Sequence, residues 1–181
     1  MLNIPVILGT AREGRQSEKA ANYMVREAMK AGCETELLDV RDYRIGATDK
    51  KENDPKAKKL AEKIDKADAL IIVSPEYNHG YPGELKMMLD MLYLQYFNKP
   101  VGFCGVSISP FGGVRVVEQL RLVAAELHMV SIRSALYFSR IQDFFDEKGE
   151  PVDKTCPAQT KIFLDELIWY GDALKTKRMN R

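Results

Sequence analysis

The stretch Ala69-Leu70-Ile71-Ile72-Val73 is an unbroken run of five apolar residues near the middle of the chain. Asp68 precedes it and Ser74-Pro75 follows it. A short continuous apolar run between polar or turn-forming residues is typical of a β-strand that is buried on both faces. The run therefore predicts a central strand of an α/β protein.

The rest of the chain alternates between short apolar runs and apolar residues at helical spacing. Strands are predicted at residues 4–8, 34–40, 69–73, 100–107 and, more weakly, 130–138. Helices are predicted at residues 17–29, 55–64, 85–92, 116–127 and 162–174, with Ser17 as the N-cap of the first. The charged stretch 41–54 is predicted to be a loop, and the basic residues Lys175, Lys177, Arg178 and Arg181 a frayed terminus.

Five strands alternating with five helices predict a mostly parallel sheet with helices on both faces, because right-handed crossovers place a helix between successive strands. Among doubly wound α/β folds, five strands favour the flavodoxin-like order 2-1-3-4-5. Residues 1–181 contain no interdomain linker and no internal repeat, so a single domain is predicted.

The composition is that of an ordinary globular protein, with 45% hydrophobic and 29% charged residues. A formal charge of +1 argues against nucleic acid or an anionic membrane as the main partner. No apolar run approaches the roughly 20 residues that span a bilayer, and the first residues do not resemble a signal peptide. A cytoplasmic location is therefore expected.

The cysteines and histidines show neither a disulfide nor a metal-binding pattern. Cys33, Cys104 and Cys156 are an odd number without C-x-x-C spacing, which fits a reducing compartment. His79 and His128 have no spacing that completes a zinc site. No metal is therefore predicted.

A doubly wound sheet binds its ligand outside the carboxyl ends of its strands, which singles out the loops after Leu8, Val73 and Ser107. The first loop, residues 9–17, leads into a helix N-terminus, where an anion meets unpaired N–H groups. Thr10 and Ser17 add hydroxyls, and Arg12 and Arg15 can pair with phosphate oxygens. A tight turn with two solvated arginines explains this loop equally well.

Two nucleotide-binding motifs can be tested on the same loop. Gly9 to Gly14 nearly matches G-x-x-x-x-G-K-[ST], but Arg15-Gln16 stand where the lysine and the magnesium-binding hydroxyl belong. The dinucleotide motif G-x-G-x-x-G is absent. The sequence therefore argues against a nucleoside triphosphate enzyme and against a Rossmann dinucleotide fold.

The second loop, residues 74–86, has two prolines and two glycines that shape it directly after the central strand. Pro75 lacks an N–H and ends strand pairing, so the backbone of the next three residues is free to face a ligand. Backbone amides, the amide of Asn78 and the ring of Tyr77 suit the polar edge and apolar face of an isoalloxazine.

These two loops together resemble the NADPH-dependent FMN reductase family, which includes flavin, quinone, azo-dye and chromate reductases. The matching residues are Gly9-Thr10-x-Arg12-x-Gly14-Arg15-x-Ser17 and Pro75-Glu76-Tyr77-Asn78-His79-x-x-Pro82-Gly83-x-Leu85-Lys86-x-x-x-Asp90. The resemblance extends over residues 4–138 and implies FMN as cofactor. It implies phosphate contacts from Thr10, Arg12, Arg15, Gln16, Ser17 and Glu18, and ring contacts from Pro75, Glu76, Tyr77 and Asn78.

The third loop, residues 107–113, leads into the fourth helix at the same corner. Gly112-Gly113 can let the backbone approach a ligand, and Ser109 and Phe111 can contact the ring or the substrate. A plain helix-entry turn is the alternative. Family members often carry a further glycine where this chain has Ser109-Pro110-Phe111.

An apolar run follows the second loop, where many family members have Asn-Ala-Ile and this chain has Met87-Met88-Leu89. The run is too wide for a helix with one apolar face in so small a domain. It consists of Met87, Met88, Leu89, Met91, Leu92, Tyr93, Leu94, Tyr96 and Phe97. It predicts a homodimer or a homotetramer, as the family resemblance also implies.

No Ser-His-Asp set, cysteine nucleophile or metal cluster is visible, so the chemistry is assigned to the flavin and no residue is predicted to be catalytic. The predicted enzyme passes electrons from NADPH or NADH through FMN to a small acceptor such as a flavin, quinone, azo compound or metal oxyanion. The alternative is a non-enzymatic electron carrier like flavodoxin, although flavodoxins are strongly acidic and this chain is near neutral. A redox-sensing protein with a degenerate flavin site is a third possibility.

Overall fold

A computed structural model describes residues 1–46 and 54–179. It shows a five-stranded parallel sheet. Within these residues the strands are β1 (Val6–Leu8), β2 (Leu37–Asp39), β3 (Leu70–Pro75), β4 (Pro100–Val106) and β5 (Val130–Phe138). Their order is β2-β1-β3-β4-β5, and every neighbouring pair is parallel. The predicted flavodoxin-like class and strand order are confirmed.

Helices cover both faces of this sheet. They are α1 (Ser17–Lys30), α2 (Pro55–Lys66), α3 (Gly83–Leu89), α4 (Val114–Glu126), the single turn α5 (Ile141–Phe144) and α6 (Cys156–Met179). One buried apolar cluster joins α1 and α6 to one face, and a second joins α2, α3 and α4 to the other. No helix within residues 1–46 and 54–179 is both long enough and apolar enough to span a membrane.

Three local predictions were wrong. Ser17 is the first residue of α1 and not its N-cap; Gln16 holds the N-cap position, and its side chain makes no capping hydrogen bond. A 3₁₀ helix at Val40–Tyr43 takes in the last residue of the predicted strand and the first three of the predicted loop, whose residues 47–53 lie outside the described part of the chain. α3 ends at Leu89 and does not continue to Leu92.

Two of the C-terminal basic residues, Lys175 and Arg178, are bound where a frayed end was predicted. Lys175 Nζ donates to Asp68 Oδ2 at 2.8 Å, and Arg178 Nη1 donates to the Asn98 carbonyl at 2.8 Å. Asp68 is buried, and its carboxylate also accepts from the Asn3 N–H at 3.0 Å. The end of α6 is therefore attached to the amino edge of the sheet. Arg181 lies outside the described residues.

Most of the apolar run that follows the second loop belongs to the core. Its buried members are Met88, Leu89, Met91, Leu92 and Tyr96, distributed over α3, a turn and the 3₁₀ helix Leu94–Tyr96. Because α3 ends at Leu89, the apolar residues of this run are spread over three short segments and do not all have to lie on one face of a single helix. Tyr93 and Leu94 are exposed, at 44% and 69%.

The edge strand β5 is irregular, as its interrupted apolar pattern suggested. Its pairing with β4 shifts register between Val101 and Phe103. Glu166 on α6 accepts from the N–H groups of Arg133 and Ser134, both at 3.0 Å. Arg121 on α4 donates to the Ile132 and Arg133 carbonyls. Backbone groups that the bulge frees from the ladder are thus satisfied by side chains.

The three cysteines, Cys33, Cys104 and Cys156, are buried and not disulfide-bonded. Cys104 lies in β4, and its exposed fraction is 1%. Burial raises the pKa of each of the three thiols above its ordinary value.

Candidate functional site

The three predicted loops meet at one cavity of about 250 Å3 at the carboxyl edge of the sheet. The loop after β1 contributes residues 12–17, β3 and its loop contribute Pro75, Glu76 and Tyr77, and Val106, Ser107 and Ile108 come from the end of β4 and the loop after it. Ile141, at the start of α5, completes the lining. This convergence follows from the strand order, since β1, β3 and β4 are neighbours.

Arg15 is directed into the protein and its side chain is 2% exposed. Its Nη1 donates to the Thr10 carbonyl at 2.6 Å and to Asp39 Oδ1 at 2.7 Å, and its Nη2 donates to Asp39 Oδ2. Its Nε donates to Glu18 at 3.4 Å. The guanidinium therefore fastens the loop after β1 to the end of β2. Arg15 is at the same time one of the residues that line the cavity.

A second arginine fastens the same loop from outside. Arg41 Nε donates to the Ala11 carbonyl at 3.2 Å, and its Nη2 donates to the Arg12 carbonyl at 2.6 Å. With the backbone of the loop held at three carbonyls, the Arg12 side chain stays exposed, and its guanidinium carbon lies 5.4 Å from the Tyr77 ring centroid.

Thr10 connects the first loop to the second. It is buried, and its hydroxyl lies 3.0 Å from the Tyr77 hydroxyl. The same oxygen accepts from the Arg12 N–H at 3.3 Å. Thr10 does not line the 250 Å3 cavity, but it lines, with Tyr77, an open cavity of about 750 Å3 beside it.

The start of α1 presents hydrogen-bonding groups without protein partners. The Ser17 hydroxyl is buried and makes no hydrogen bond to any residue that the structure describes. Ser17 lines the cavity, and the N-cap residue Gln16 supplies no capping side chain, because its amide donates to the Gly14 carbonyl at 3.3 Å. A buried hydroxyl beside the positive end of a helix is well suited to an anionic oxygen.

The second loop makes a tight turn after Glu76. Tyr77 and Gly80 exchange two backbone hydrogen bonds, both 2.9 Å, and the two residues between them have positive φ, 51° at Asn78 and 66° at His79. The turn places Asn78 and His79 at an exposed tip. Asn78 lines a second, open cavity of about 750 Å3 that shares Arg12, Glu76 and Tyr77 with the first.

Glu76 directs its carboxylate toward α4. Its Oε2 accepts from the N–H groups of Arg115 at 3.0 Å and Val116 at 3.3 Å, and its Oε1 pairs with Arg115 Nη1 at 3.2 Å. Its side chain is 9% exposed. The residue therefore joins the second loop to the helix that follows the third.

The third loop contributes different residues from those predicted. Ser109, Phe111, Gly112 and Gly113 do not line the cavity, whereas Ser107 and Ile108 do. Gly112 and Gly113 have φ of 63° and 83°, and a Cβ on Gly112 would lie 2.9 Å from the Tyr137 carbonyl carbon. Their small size lets the loop pack on the neighbouring strands. Phe111 is 58% exposed, with Arg115 5.2 Å from its ring centroid.

Sequence reasoning missed six lining residues: Glu13, Gly14, Val106, Ser107, Ile108 and Ile141. Val106 and Ser107 end a predicted strand, so the rule that ligands bind at carboxyl ends could have found them. Ile141 carries no such signal, because it reaches the cavity only through the fold. Within residues 1–46 and 54–179, no group of three or more His, Cys, Asp or Glu side chains is placed to hold a metal ion.

Comparison with known proteins agrees with this geometry. Residues 2–143 match the NADPH-dependent FMN reductase family. The chain belongs to that family. As an NADPH-dependent FMN reductase it is an oxidoreductase that uses FMN and NADPH, and membership favours an enzyme over a flavodoxin-type electron carrier.

Relatives of this FMN reductase include an FMN-dependent NADPH-azoreductase from Staphylococcus aureus, 31% identical over 176 residues that cover 90% of this chain and 92% of the relative. Among solved structures, the NAD(P)H:acceptor oxidoreductase FerB from Paracoccus denitrificans matches with a TM-score of 0.78 at 20% identity, covering 97% of this chain and 98% of that one. A flavodoxin from Pseudomonas aeruginosa matches with a TM-score of 0.59 at 18% identity, covering 96% and 99%. The two structural matches support the fold.

Proposed function

We propose that the 250 Å3 cavity is the FMN site, with the phosphate at the start of α1 and the ring beside residues 75–78. The observation that carries this proposal is the buried, unpartnered Ser17 hydroxyl on a cavity-lining residue. Burial of a hydroxyl without a partner is unfavourable, and a phosphate oxygen removes that deficit. FMN, when bound, supplies the redox chemistry, which is hydride acceptance from NADPH and delivery of electrons to an acceptor.

The proposed phosphate contacts come from the loop after β1. The Ser17 hydroxyl and the N–H groups of Ser17 and Glu18 lie at the helix start, and Gln16 and the exposed guanidinium of Arg12 line the cavity beside them. Arg15 and Thr10 act from behind by holding the loop, since Arg15 is occupied by Asp39 and Thr10 by Tyr77. We therefore propose that the side chains of Thr10 and Arg15 hold the loop in place, while Arg12, Gln16, Ser17 and Glu18 contact the phosphate.

The proposed ring contacts come from Pro75, the backbone of Glu76, and Tyr77, which line the cavity, and from Asn78 at its outer side. From the third loop we propose Ser107 and Ile108 in place of Ser109, Phe111, Gly112 and Gly113, because the former pair lines the cavity. Phe111, which is exposed nearby, is retained as a proposed wall for the substrate.

The FMN site is tested with Ser17→Ala. We expect the dissociation constant of FMN, measured by quenching of its fluorescence, to rise at least about tenfold, because a hydrogen bond to a charged group contributes roughly 1.5–3 kcal/mol. Thr35→Ala is the matched control, because the Thr35 hydroxyl is also buried without a partner among the described residues and precedes β2, away from the carboxyl edge. Equal FMN affinity in the two variants would contradict the assignment.

We propose an azo compound or a quinone as the electron acceptor. Support comes from the S. aureus relative, whose name describes an azoreductase, and from the exposed aromatic and apolar groups around the cavity. Steady NADPH consumption that depends on the azo dye or quinone is the expected result. A single stoichiometric reduction without turnover would instead indicate an electron carrier.

We also propose that the chain acts in the cytoplasm, as one FMN-binding domain of residues 1–181 that assembles into a homodimer or homotetramer. The three free cysteines fit a reducing compartment. The exposed Tyr93 and Leu94 support assembly, because exposed apolar side chains that adjoin further aromatic rings form a surface suited to burial against another subunit. Tyr93 packs with Phe97, 5.0 Å between ring centroids, and Phe97 stacks on His128 at 4.2 Å. Neither nucleic acid nor a membrane is proposed as a partner.

A further inference from the structure

The carboxylate of Glu76 occupies the N-terminus of a helix 39 residues further along the chain. α4 begins after Gly113, which has φ of 83° and provides no capping side chain. The unpaired N–H groups at a helix start need acceptors, and here Glu76 supplies them for Arg115 and Val116. The cap of α4 is therefore a residue of the loop that the proposed FMN ring contacts.

Glu76 is held at both ends. Its own N–H donates to the Val106 carbonyl at the end of β4 at 2.9 Å, and its carboxylate is fixed on α4. Between these two anchors, the residue lines both the 250 Å3 cavity and its open neighbour. Its backbone position, and that of Tyr77 after it, consequently depends on the carboxylate contacts.

The same carboxylate places a negative charge where two positive charges meet. The start of α4 carries the positive end of the helix dipole, equivalent to about half an elementary charge, and Arg115 adds a full one. The Glu76 side chain is 9% exposed, so solvent screens its charge only partly. Without it, the corner of the site nearest α4 has a net positive potential.

We propose that Glu76 is a positioning residue that holds the ring-binding loop on α4 and whose charge lowers the reduction potential of the bound FMN. Reduction adds negative charge to the flavin, so a nearby carboxylate disfavours the reduced form and an uncompensated cation favours it. This inference rests on the proposed FMN site. It assigns the Glu76 carboxylate a role in holding and tuning the site rather than in direct contact with the cofactor.

The experiment compares two substitutions of Glu76. Glu76→Ala removes both the hydrogen bonds and the charge, and we expect the FMN dissociation constant to rise about tenfold or more. Glu76→Gln keeps an oxygen that can accept from the α4 N–H groups, so we expect FMN affinity within about threefold of wild type. Its FMN midpoint potential is nevertheless expected to rise, because the negative charge is gone.

A substitution that neutralises the partner Arg115 and a matched control complete the design. Arg115→Gln leaves the carboxylate uncompensated and is expected to lower the midpoint potential, the opposite direction from Glu76→Gln. Glu166→Gln and Glu166→Ala are the controls, because Glu166 also accepts from two successive backbone N–H groups but lies at the β5 bulge. The two Glu166 variants are expected to change neither FMN affinity nor potential.

Unchanged FMN affinity in Glu76→Ala would overturn the positioning role. Midpoint potentials of Glu76→Gln and Arg115→Gln that shift in the same direction, or not at all, would overturn the electrostatic role. If Glu76→Ala does not fold, Glu76→Gln and Arg115→Gln still decide the electrostatic role, and a loss of FMN affinity greater than threefold in Glu76→Gln overturns the positioning role as proposed. Wild-type protein that binds no FMN would instead refute the proposed function.

Discussion

At the scale of single residues, the two arginines of the loop after β1 show what sequence can separate and what it cannot. Arg12 and Arg15 stand three positions apart in one phosphate-loop pattern. Arg15 forms an ion pair with Asp39, a residue brought next to the loop because Leu8 and Asp39 are paired in the sheet. No local pattern contains that information, so the sequence predicts the same role for both.

Arg12→Ala is expected to weaken FMN binding by roughly 1.5–3 kcal/mol, the range for a hydrogen bond to a charged group. The melting temperature of the apoprotein should change little, because the Arg12 side chain is exposed. Fluorescence titration and thermal unfolding of the same preparation measure the two quantities. An unchanged dissociation constant would show that Arg12 is a solvated surface residue.

Arg15→Ala, unlike Arg12→Ala, should lower the stability of the apoprotein, because the Arg15 side chain is buried in an ion pair with Asp39. Burial alone would raise the pKa of Asp39, but hydrogen bonds from Arg15 and the Arg41 N–H hold it below its ordinary value. A lowered carboxyl pKa in the folded state adds stability above the unfolded value of about 3.9, and this stability is lost as pH falls through the folded pKa. Arg15→Ala should therefore show a weaker loss of stability on acidification than wild type.

The comparison is urea unfolding of wild type and Arg15→Ala from pH 6 down to the acid transition. Lys161→Ala is a suitable control, since Lys161 forms an ion pair with Asp165 in which both side chains are well exposed. If the stability difference between Arg15→Ala and wild type does not shrink toward low pH, the Arg15–Asp39 pair contributes nothing to stability.

At the scale of helices and strands, the spacing of the apolar residues predicted which elements exist but not where α3 ends. The residues after Leu89 continue to be apolar, and periodicity alone cannot distinguish a longer helix from a turn that also packs into the core. The corner between β4 and α4 shows a similar limit. Gly112 and Gly113 were predicted to approach a ligand, whereas their close neighbours are Tyr137 and Val106.

The exposed part of the segment after α3 leads to a prediction about assembly. Leu94→Glu should shift the protein toward the 20.6 kDa monomer, because a charge at the centre of an apolar contact is costly to desolvate. Light scattering at micromolar concentration measures the mass. Leu122→Glu is the control, since Leu122 is 75% exposed on α4.

Wild-type protein that scatters only as a monomer would refute the oligomer. A dimer that is lost in Leu122→Glu and kept in Leu94→Glu would instead place the contact on α4.

At the scale of the whole molecule, the strand order alone determines that the loops after β1, β3 and β4 share one site. That much followed from counting strands and helices, and the structure places the three loops around one cavity. Contacts between distant segments, such as Glu76 with α4 or Ile141 with the cavity, could not be predicted, because they depend on the relative positions of packed elements.

If NADPH and the electron acceptor use the same binding space at the cavity, the enzyme should show ping-pong kinetics. NADPH and the acceptor should occupy the same space in turn, so double-reciprocal plots at several acceptor concentrations should be parallel. Tyr77→Ala and Phe111→Ala should then change acceptor preference more than FMN affinity. Intersecting lines would require a complex that holds NADPH and acceptor together, and thus a second binding space.

The burial of all three cysteines has a consequence for chemical durability. Quinones are electrophiles that alkylate thiolates, and an enzyme that turns them over meets them at every cycle. Cys33, Cys104 and Cys156 are all at most 8% exposed, and their raised pKa values keep them as thiols. We expect the folded protein to react with no equivalents of a thiol reagent and the unfolded chain with three, so that inactivation by quinones follows unfolding rather than turnover.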